Sequence, residues 1–244
     1  MAERLPASLE LIFVGMLLGI STGLALGLLA AAFPRSWIDS LARIAATAGV
    51  AMPQFWFAMI LQLVFGRVVK VLPIIGRLDM WIRYQPATNF LFVDSLITRN
   101  GELLKSALLH IILPAICVAT YPTAMCTRLL RAKMLDIVNQ EYIRTARAFG
   151  VSEKKIFTTY ALKNALGPII IMTALSFVFT LIGTFLVETI FAWPGIGSYA
   201  AESIISNDVP VIFSIVSITA ICTLLLNLGA EIIIASLDPR IRFE

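Results

Sequence analysis

Few side chains in this sequence carry groups that could perform covalent chemistry, and those few are scattered. Glu231 lies within a long apolar run, where an ionisable group is a candidate for a proton or ion pathway, but Asp238 follows within about two turns and favours a structural role at the membrane boundary equally. Glu188 ends another apolar run, and His110, the single histidine, has no carboxylate nearby in sequence. The chain has no GxxxxGK[ST] phosphate loop, HExxH motif or CxxC spacing, and no catalytic serine–histidine pair is in view. We therefore predict no catalytic residues, no metal site and no directly bound cofactor.

The elements that position these residues are predominantly apolar. Hydrophobic residues make up 59% of the 244 residues and charged residues 14%, whereas a soluble domain carries about a quarter charged residues. Five apolar stretches are each long enough to cross a membrane as a helix: about 9–32, 44–67, 105–128, 165–188 and 209–236. The sequence predicts an all-α polytopic membrane protein with five transmembrane helices in one domain, 1–244.

Basic residues suggest the orientation of these spans. With five spans, the connections alternate between the two sides of the membrane, and 12 lysines and arginines fall on the side of segment 134–164 against seven on the other. The positive-inside rule places that segment and the C-terminus in the cytoplasm, with the N-terminus outside.

The first span carries a stripe of glycines at four-residue spacing, Gly15, Gly19, Gly23 and Gly27. Small residues along one helix face let a second backbone approach closely, which predicts helix packing at this face. In the second span, Pro53 removes a backbone donor and predicts a kink or a local opening.

A polar, basic segment at about 134–164 separates the third and fourth spans. Apolar or small residues recur at helical spacing from Met134 to Phe149, Gly150 suits a left-handed helix end, and Ser152 suits the N-cap of a second amphipathic run. This pattern predicts a helix–turn–helix. It fits a loop lying on the membrane or a docking element for a cytoplasmic protein, and local pattern does not separate these two. A nucleic-acid-binding role is disfavoured because the adjoining spans restrict access to a groove.

The segment "EYIRTARAFGVSEKKI" resembles the cytoplasmic coupling loop, or EAA loop, of permeases of ATP-binding-cassette importers, in its dipeptide, oligopeptide and nickel branch. The family pattern is Glu-Ala-Ala, three residues, Gly, nine residues and Ile-x-Leu-Pro. Here Arg144-Thr145-Ala146 stands for the triplet, Gly150 for the glycine, Tyr160 and Leu162 for Ile and Leu, and Lys163 for the proline. The resemblance assigns coupling to an ATPase to Arg144, Thr145, Ala146, Gly150, Ser152 and Leu162.

Further segments resemble the same branch. "RLPASLEL" resembles the entry to its second span, "HIILPAI" a mid-chain span, and "LDPRIR" at 237–242 its C-terminal signature. "VETIFAWPGIGSYAAESIISNDVPV" resembles its outer loop and suggests a gate or packing loop with Glu188, Phe191, Pro194, Gly195 and Gly197. Family members usually have a further N-terminal span, so we expect either a truncated start or a five-span version.

The resemblance implies a multi-pass permease subunit in a bacterial inner (plasma) membrane that forms half of a substrate pathway. The expected partners are a second permease, two ATP-binding-cassette ATPase subunits that use ATP, an external substrate-binding protein and the lipid bilayer, with no nucleic acid. Peptides are the expected substrates. The alternative is a nickel or other small-solute permease of the same family, and a membrane enzyme or an autonomous channel is a more distant alternative.

Overall fold

The computed structural model describes residues 3–237, and within this range every regular element is helical. In chain order, the helices are α1 (Arg4–Ala32), α2 (Trp37–Ala51), α3 (Gln54–Leu63), α4 (Leu91–Ile97), α5 (Gly101–Val138), α6 (Glu141–Ala148), α7 (Glu153–Lys155), α8 (Leu162–Ile190), α9 (Ile196–Ile205) and α10 (Val209–Leu237). Short π-helical turns continue α3 through Val64–Val68 and join α7 to α8 through Ile156–Ala161. The all-α fold expected from the sequence is confirmed.

The described helices agree with a polytopic membrane protein. Four of them are long and apolar enough to cross a membrane, and the number rises to five when α2 and α3 are counted together as one broken span. The break falls at Met52 and Pro53, and Pro53 takes an extended conformation with φ −60° and ψ 127° at the N-cap of α3. Because proline has no N–H to donate, helical hydrogen bonding stops here and starts again from the Pro53 carbonyl, which accepts from the backbone N–H groups of Trp56 and Phe57.

Within these helices, two compact units are distinguished. The first contains the chain up to Leu18, Met52–Ala119 and Phe177–Thr223, and the second contains Gly19–Ala51, Thr120–Ser176 and the chain from Leu224. The core of the first unit gathers Ala7, Leu11, Leu113, Phe191 and Trp193. The Trp193 indole donates to the Ala7 carbonyl at 2.9 Å, so the largest buried side chain also satisfies its polar group.

The core of the second unit forms where α5 ends and the polar segment begins. Met134 and Ile137 of α5 pack in one cluster with Ile143 of α6 and Ile156, and all four side chains are buried. The cluster continues into the first turns of α8 through Ala161, Ala165 and Ile169. This apolar base supports the segment that resembles a coupling loop.

Helix α10 buries only a narrow stripe of its surface. Ile215 is buried, whereas large apolar side chains elsewhere on the helix are exposed, among them Phe213, Leu224 and Leu228. Glu231 also lies on this helix and is exposed. Residues 238–242 of the LDPRIR signature, with Asp238, lie outside the described residues.

Candidate functional site

The polar segment turns sharply at Gly150. The backbone N–H of Val151 donates to the Ala146 carbonyl at 3.1 Å, and that of Gly150 donates to the Arg147 carbonyl at 2.9 Å. These two bonds form a Schellman motif, which ends a helix on a left-handed residue. Gly150 has φ +77° and no atom within 4 Å of the position a Cβ would take. Within this chain, the glycine is therefore required by its backbone conformation and not by lack of space.

Two details of the helix–turn–helix differ from expectation. The periodicity from Met134 to Phe149 suggested one helix, but α5 ends at Val138 and α6 begins at Glu141. Gln140 between them is extended, with φ −73° and ψ 154°. The spacing persists across the break because Ile137 and Ile143 still reach the same core cluster. Ser152 occupies the N-cap of α7, as expected, but its side chain makes no capping hydrogen bond.

The residues matched to the coupling motif divide into a supported side and an exposed side. Ala146 and Leu162 are half-buried and pack against the apolar base. Arg144, Thr145 and Ser152 are exposed. The segment therefore has an apolar side that packs on the core of the second unit and a polar side that faces solvent, with the turn at Gly150 between its two helical parts.

An apolar side chain marks the tip of this surface. Phe149, next to Gly150, is 84% exposed although the adjacent helix is polar. On the same tip, the Arg147 guanidinium donates to the Glu153 carboxylate at 2.6 Å and 3.2 Å across the turn. This hydrogen bonding raises the pKa of Arg147. An exposed aromatic ring beside paired charges is suited to contact with a partner protein or with the membrane surface.

The glycine stripe of α1 faces α5. In the first unit, a Cβ at Gly15 would collide with the Val118 side chain. In the second unit, a Cβ at Gly23 would lie 2.6 Å from the Cys126 Cβ, and one at Gly27 would lie 3.0 Å from the Leu130 Cβ. Gly19 is buried as well. At Gly15, Gly23 and Gly27, a side chain would have no room, as expected for the close helix approach that the four-residue spacing predicts.

The outer-loop residues converge on the Glu188 carboxylate. This fully buried group accepts from the Ser8 hydroxyl at 2.5 Å and from the Ser198 backbone N–H at 3.1 Å. The Ser8 oxygen in turn accepts from the Ile196 N–H at 2.8 Å. The carboxylate thus stabilises the N-terminus of α9, where backbone N–H groups lack partners and favour negative charge.

The other matched residues of this loop surround the carboxylate. A Cβ at Gly195 would collide with the Glu188 carboxylate and the Ser8 hydroxyl, and one at Gly197 would lie 2.6 Å from the Phe185 Cα. Phe191 is buried in the core of the first unit, and Pro194 is half-buried. Both glycines leave room for Glu188 to reach the start of α9.

Sequence reasoning missed several partners of the buried charges. Ser8 is one, since it lies 180 residues from Glu188. His110, which has no carboxylate nearby in sequence, has Asp79 at 3.9 Å and a ring nitrogen 2.8 Å from the Ser106 carbonyl. Asp39 pairs with Arg131 across 92 residues. The available signal was that Asp39 is the only acidic residue between Glu10 and Asp79, within a mostly apolar stretch.

Comparison with known proteins gives consistent relatives. Residues 23–243 match the family described as "Binding-protein-dependent transport system inner membrane component". The chain is 38% identical over 237 residues to the probable D,D-dipeptide transport system permease protein DdpB of Escherichia coli, covering 97% of this chain and 70% of the relative. It is 36% identical to the di/tripeptide transport system permease protein DppB of Pseudomonas aeruginosa, covering 98% of this chain and 71% of that protein. It is 35% identical to the oligopeptide transport system permease protein AppB of Bacillus subtilis, covering 98% of this chain and 70% of that protein.

The fold is also similar to that of a solved transporter. A chain of the inward-facing MetNI methionine ABC transporter superposes with a TM-score of 0.68 at 15% identity, covering 95% of this chain and 93% of that one. This likeness supports the fold alone. The family match over most of the chain and the identities above 30% establish the classification: the protein belongs to the binding-protein-dependent transport system inner membrane components, the permease subunits of ATP-binding-cassette importers.

Proposed function

We propose that this chain is the permease subunit of an importer for peptides and forms half of the substrate pathway. An external binding protein delivers the peptide, a second permease completes the pathway, and two separate ATPase subunits supply the energy. The names of the relatives at 34–38% identity support the peptide assignment, because they refer to dipeptide, di/tripeptide and oligopeptide transport. They favour peptides over nickel or another small solute.

The observation that carries the proposal is the exposed Phe149 on a turn with a buried base. A coupling element has to present a compact surface to a groove on another subunit and transmit its displacement to the spans on either side. The Schellman turn at Gly150 shapes the surface, and Arg144 and Thr145 add exposed polar side chains on the same segment. Ile143 and Ile156 join this surface to α5 and α8 through one core cluster. Because closely packed side chains move together, a displacement of the turn at Gly150 is transmitted to both α5 and α8.

The outer loop has the properties expected of a rigid gate or packing element. Its start is fixed by the Glu188 carboxylate, and Gly76 adds a further link by donating its N–H to the Phe191 carbonyl at 2.8 Å. We propose that Glu188, Phe191, Pro194, Gly195 and Gly197 keep this loop in one conformation while the pathway changes access. We propose that the glycines of α1 likewise limit movement, because they allow α1 to pack closely against α5.

The coupling proposal is tested in a reconstituted complex that contains the chain, its second permease, the ATPase subunits and the binding protein. Phe149→Ala and Arg144→Ala are expected to weaken co-purification of the ATPase subunits and to reduce dipeptide uptake about tenfold or more, the scale on which removing an interface anchor acts. Thr159→Ala is the control, since Thr159 is exposed on the same segment but lies outside the matched motif. Normal uptake and normal ATPase retention by both Phe149→Ala and Arg144→Ala would refute the coupling surface.

The substrate is tested in the same vesicles. Dipeptide should accumulate in an ATP-dependent and binding-protein-dependent manner, and an excess of unlabelled dipeptide should compete with it. Nickel uptake that dipeptide does not inhibit would instead support the metal-ion alternative.

A further inference from the structure

Asp39, near the start of α2, is a buried carboxylate of the second unit with hydrogen bonds to Arg35 and Arg131. Its side chain is 1% exposed, and its Oδ2 atom lies 2.7 Å from the Arg131 Nη2 atom, while the Arg131 Nε donates to Oδ1. The pair is therefore bidentate, an arrangement that fixes direction as well as distance. The Arg43 Nε lies 3.5 Å from the same carboxylate, but Arg43 belongs to α2 itself and its side chain is 56% exposed.

The same carboxylate also holds the turn between α1 and α2. The Arg35 backbone N–H donates to Asp39 Oδ2 at 3.0 Å, and Arg35 has φ +62°, a conformation that L residues adopt at a cost. The Ser36 N–H closes the turn onto the Phe33 carbonyl at 3.3 Å, with Pro34 in the second position. Asp39 therefore joins three elements: the turn, helix α2 and helix α5.

Helix α2 lies against α5 at a second point. A Cβ at Gly49 would be 3.5 Å from the Ala124 Cβ and 3.2 Å from the Thr120 carbonyl oxygen. The pair Asp39–Arg131 and the contact Gly49–Ala124 are ten residues apart on α2 and seven apart on α5, so the two helices run antiparallel in contact. Of the two links, the ion pair is the directional one.

Arg131 stands directly above the base of the coupling segment. Met134 follows three residues later, about 4.5 Å along the helix axis, and packs in the cluster with Ile143 and Ile156. Displacement of the coupling segment therefore acts on the last turns of α5, and Arg131 is the side chain there that holds α2. Helix α2 ends at the break before Pro53.

We infer that Asp39 and Arg131 are positioning residues that make α2 follow the coupling segment during the transport cycle. The inference rests on the proposed function, since it assumes that an ATPase acts on that segment. Without the pair, α5 would still respond to the ATPase but α2 would no longer follow, so ATP would be hydrolysed with little transport. The measurable quantity is the number of ATP molecules hydrolysed per peptide imported.

The test compares Arg131→Gln with Arg43→Gln in the reconstituted complex. Both remove a guanidinium from the same carboxylate, but only Arg131 connects α2 to α5. Arg131→Gln is expected to raise the ATP-to-peptide ratio about fivefold or more, the lower range of measured coupling between sites, while Arg43→Gln leaves it unchanged. Equal ratios in wild type and Arg131→Gln, or an equal rise in both variants, would overturn the inference.

Loss of a partner from a buried carboxylate can prevent folding, so a second variant is needed. Arg131→Lys keeps the positive charge but not the two parallel hydrogen bonds, and it too is expected to raise the ratio in a complex purified at normal yield. If Arg131→Lys folds and couples normally, the directional pair is not required and the inference fails.

A disulfide provides a rescue experiment. The 3.5 Å separation at Gly49 and Ala124 falls within the Cβ–Cβ range of disulfides, so Gly49→Cys with Ala124→Cys is expected to crosslink α2 to α5. In the Arg131→Lys background, oxidation should bring the ATP-to-peptide ratio back toward the wild-type value, and reduction should reverse this. A crosslink that forms without lowering the ratio would contradict the inference.

The failure of the inference can be told apart from the failure of the proposed function. If the wild-type complex neither imports peptide nor shows ATP hydrolysis stimulated by the loaded binding protein, the proposed function is wrong. If the wild-type complex does both and the variants at Arg131 match it, only the role of the ion pair is wrong.

Discussion

Replacing Gly23 by alanine is expected to destabilise the protein, although alanine is the better helix former. The added Cβ would stand 2.6 Å from the Cys126 Cβ and 2.9 Å from the Thr123 carbonyl oxygen. Carbon atoms pack best at about 3.5–4.0 Å, so α1 and α5 have to separate by about 1 Å at this point. Forcing an extra methyl into a packed interface costs about 1–3 kcal/mol.

Gly229→Ala is the matched control. Gly229 also lies inside a long helix, α10, but no atom lies within 4 Å of its Cβ position. Both substitutions gain the same intrinsic helix propensity, about 1 kcal/mol. The difference between them therefore isolates the packing cost, and Gly23→Ala should be about 1–3 kcal/mol less stable than Gly229→Ala.

The assay is thermal unfolding of each variant in detergent, followed by the yield of folded, monodisperse protein. In a chain of this size, 1 kcal/mol shifts the midpoint by about 2–4 °C, so the two variants should differ by about 2–12 °C. Gly23→Leu should lower the yield further. Equal midpoints for Gly23→Ala and Gly229→Ala would show that the glycine stripe does not pack against α5.

Three further results are expected. Gly150→Ala should lose most ATP-driven uptake while membrane insertion persists, because φ +77° costs an L residue about 1–2 kcal/mol at the turn. Full uptake by Gly150→Ala would show that this turn conformation is not needed for coupling. Glu188→Gln should lower the free energy of unfolding by about 1–3 kcal/mol and open the outer loop to protease, because an amide nitrogen would replace one of the two oxygens that accept from the Ser8 hydroxyl and the Ser198 N–H. Glu202→Gln, on an exposed carboxylate, should have little effect. Reporter fusions at residues 153 and 200 should lie on opposite sides of the membrane, and finding both on one side would refute the five-span topology.

The parts of the fold that depend on local periodicity were predictable from the sequence. The four-residue spacing of the glycines predicts one face of α1, since helical geometry alone places them in one line, and three of them, Gly15, Gly23 and Gly27, lie against α5. Gly150 was predictable for the same kind of reason, because a helix end that needs a left-handed residue selects glycine. The break at Gln140 was missed because its flanking isoleucines keep the helical spacing.

The contacts of buried charges were not predictable, because they depend on the relative register of separate helices. The sequence around Ser8 gives no indication that this residue contacts Glu188, and the sequence around Asp39 gives none for Arg131. The sequence does show which carboxylates need a partner, because burying an unpaired carboxylate in an apolar environment costs free energy. For Asp39, the sequence identifies the residue that needs a partner without identifying which of 19 lysines and arginines supplies it, and for Glu188 one partner is a serine hydroxyl and not a basic side chain.

The sparse burial of α10 has an evolutionary consequence. Among its described residues up to Ile232, most of the large apolar side chains leave half or more of their surface uncovered by this chain, so exchanging one apolar residue for another on that face is expected to leave the fold of the subunit intact. Any restriction on those positions among relatives must then come from outside the chain, from a partner subunit such as the proposed second permease or from lipid. Invariance at a position such as Phe213 would indicate contact with a partner subunit, whereas free exchange among Leu, Ile, Val and Phe would indicate contact with lipid. Sequence variation along α10 among relatives therefore indicates which side of the helix contacts protein and which contacts lipid.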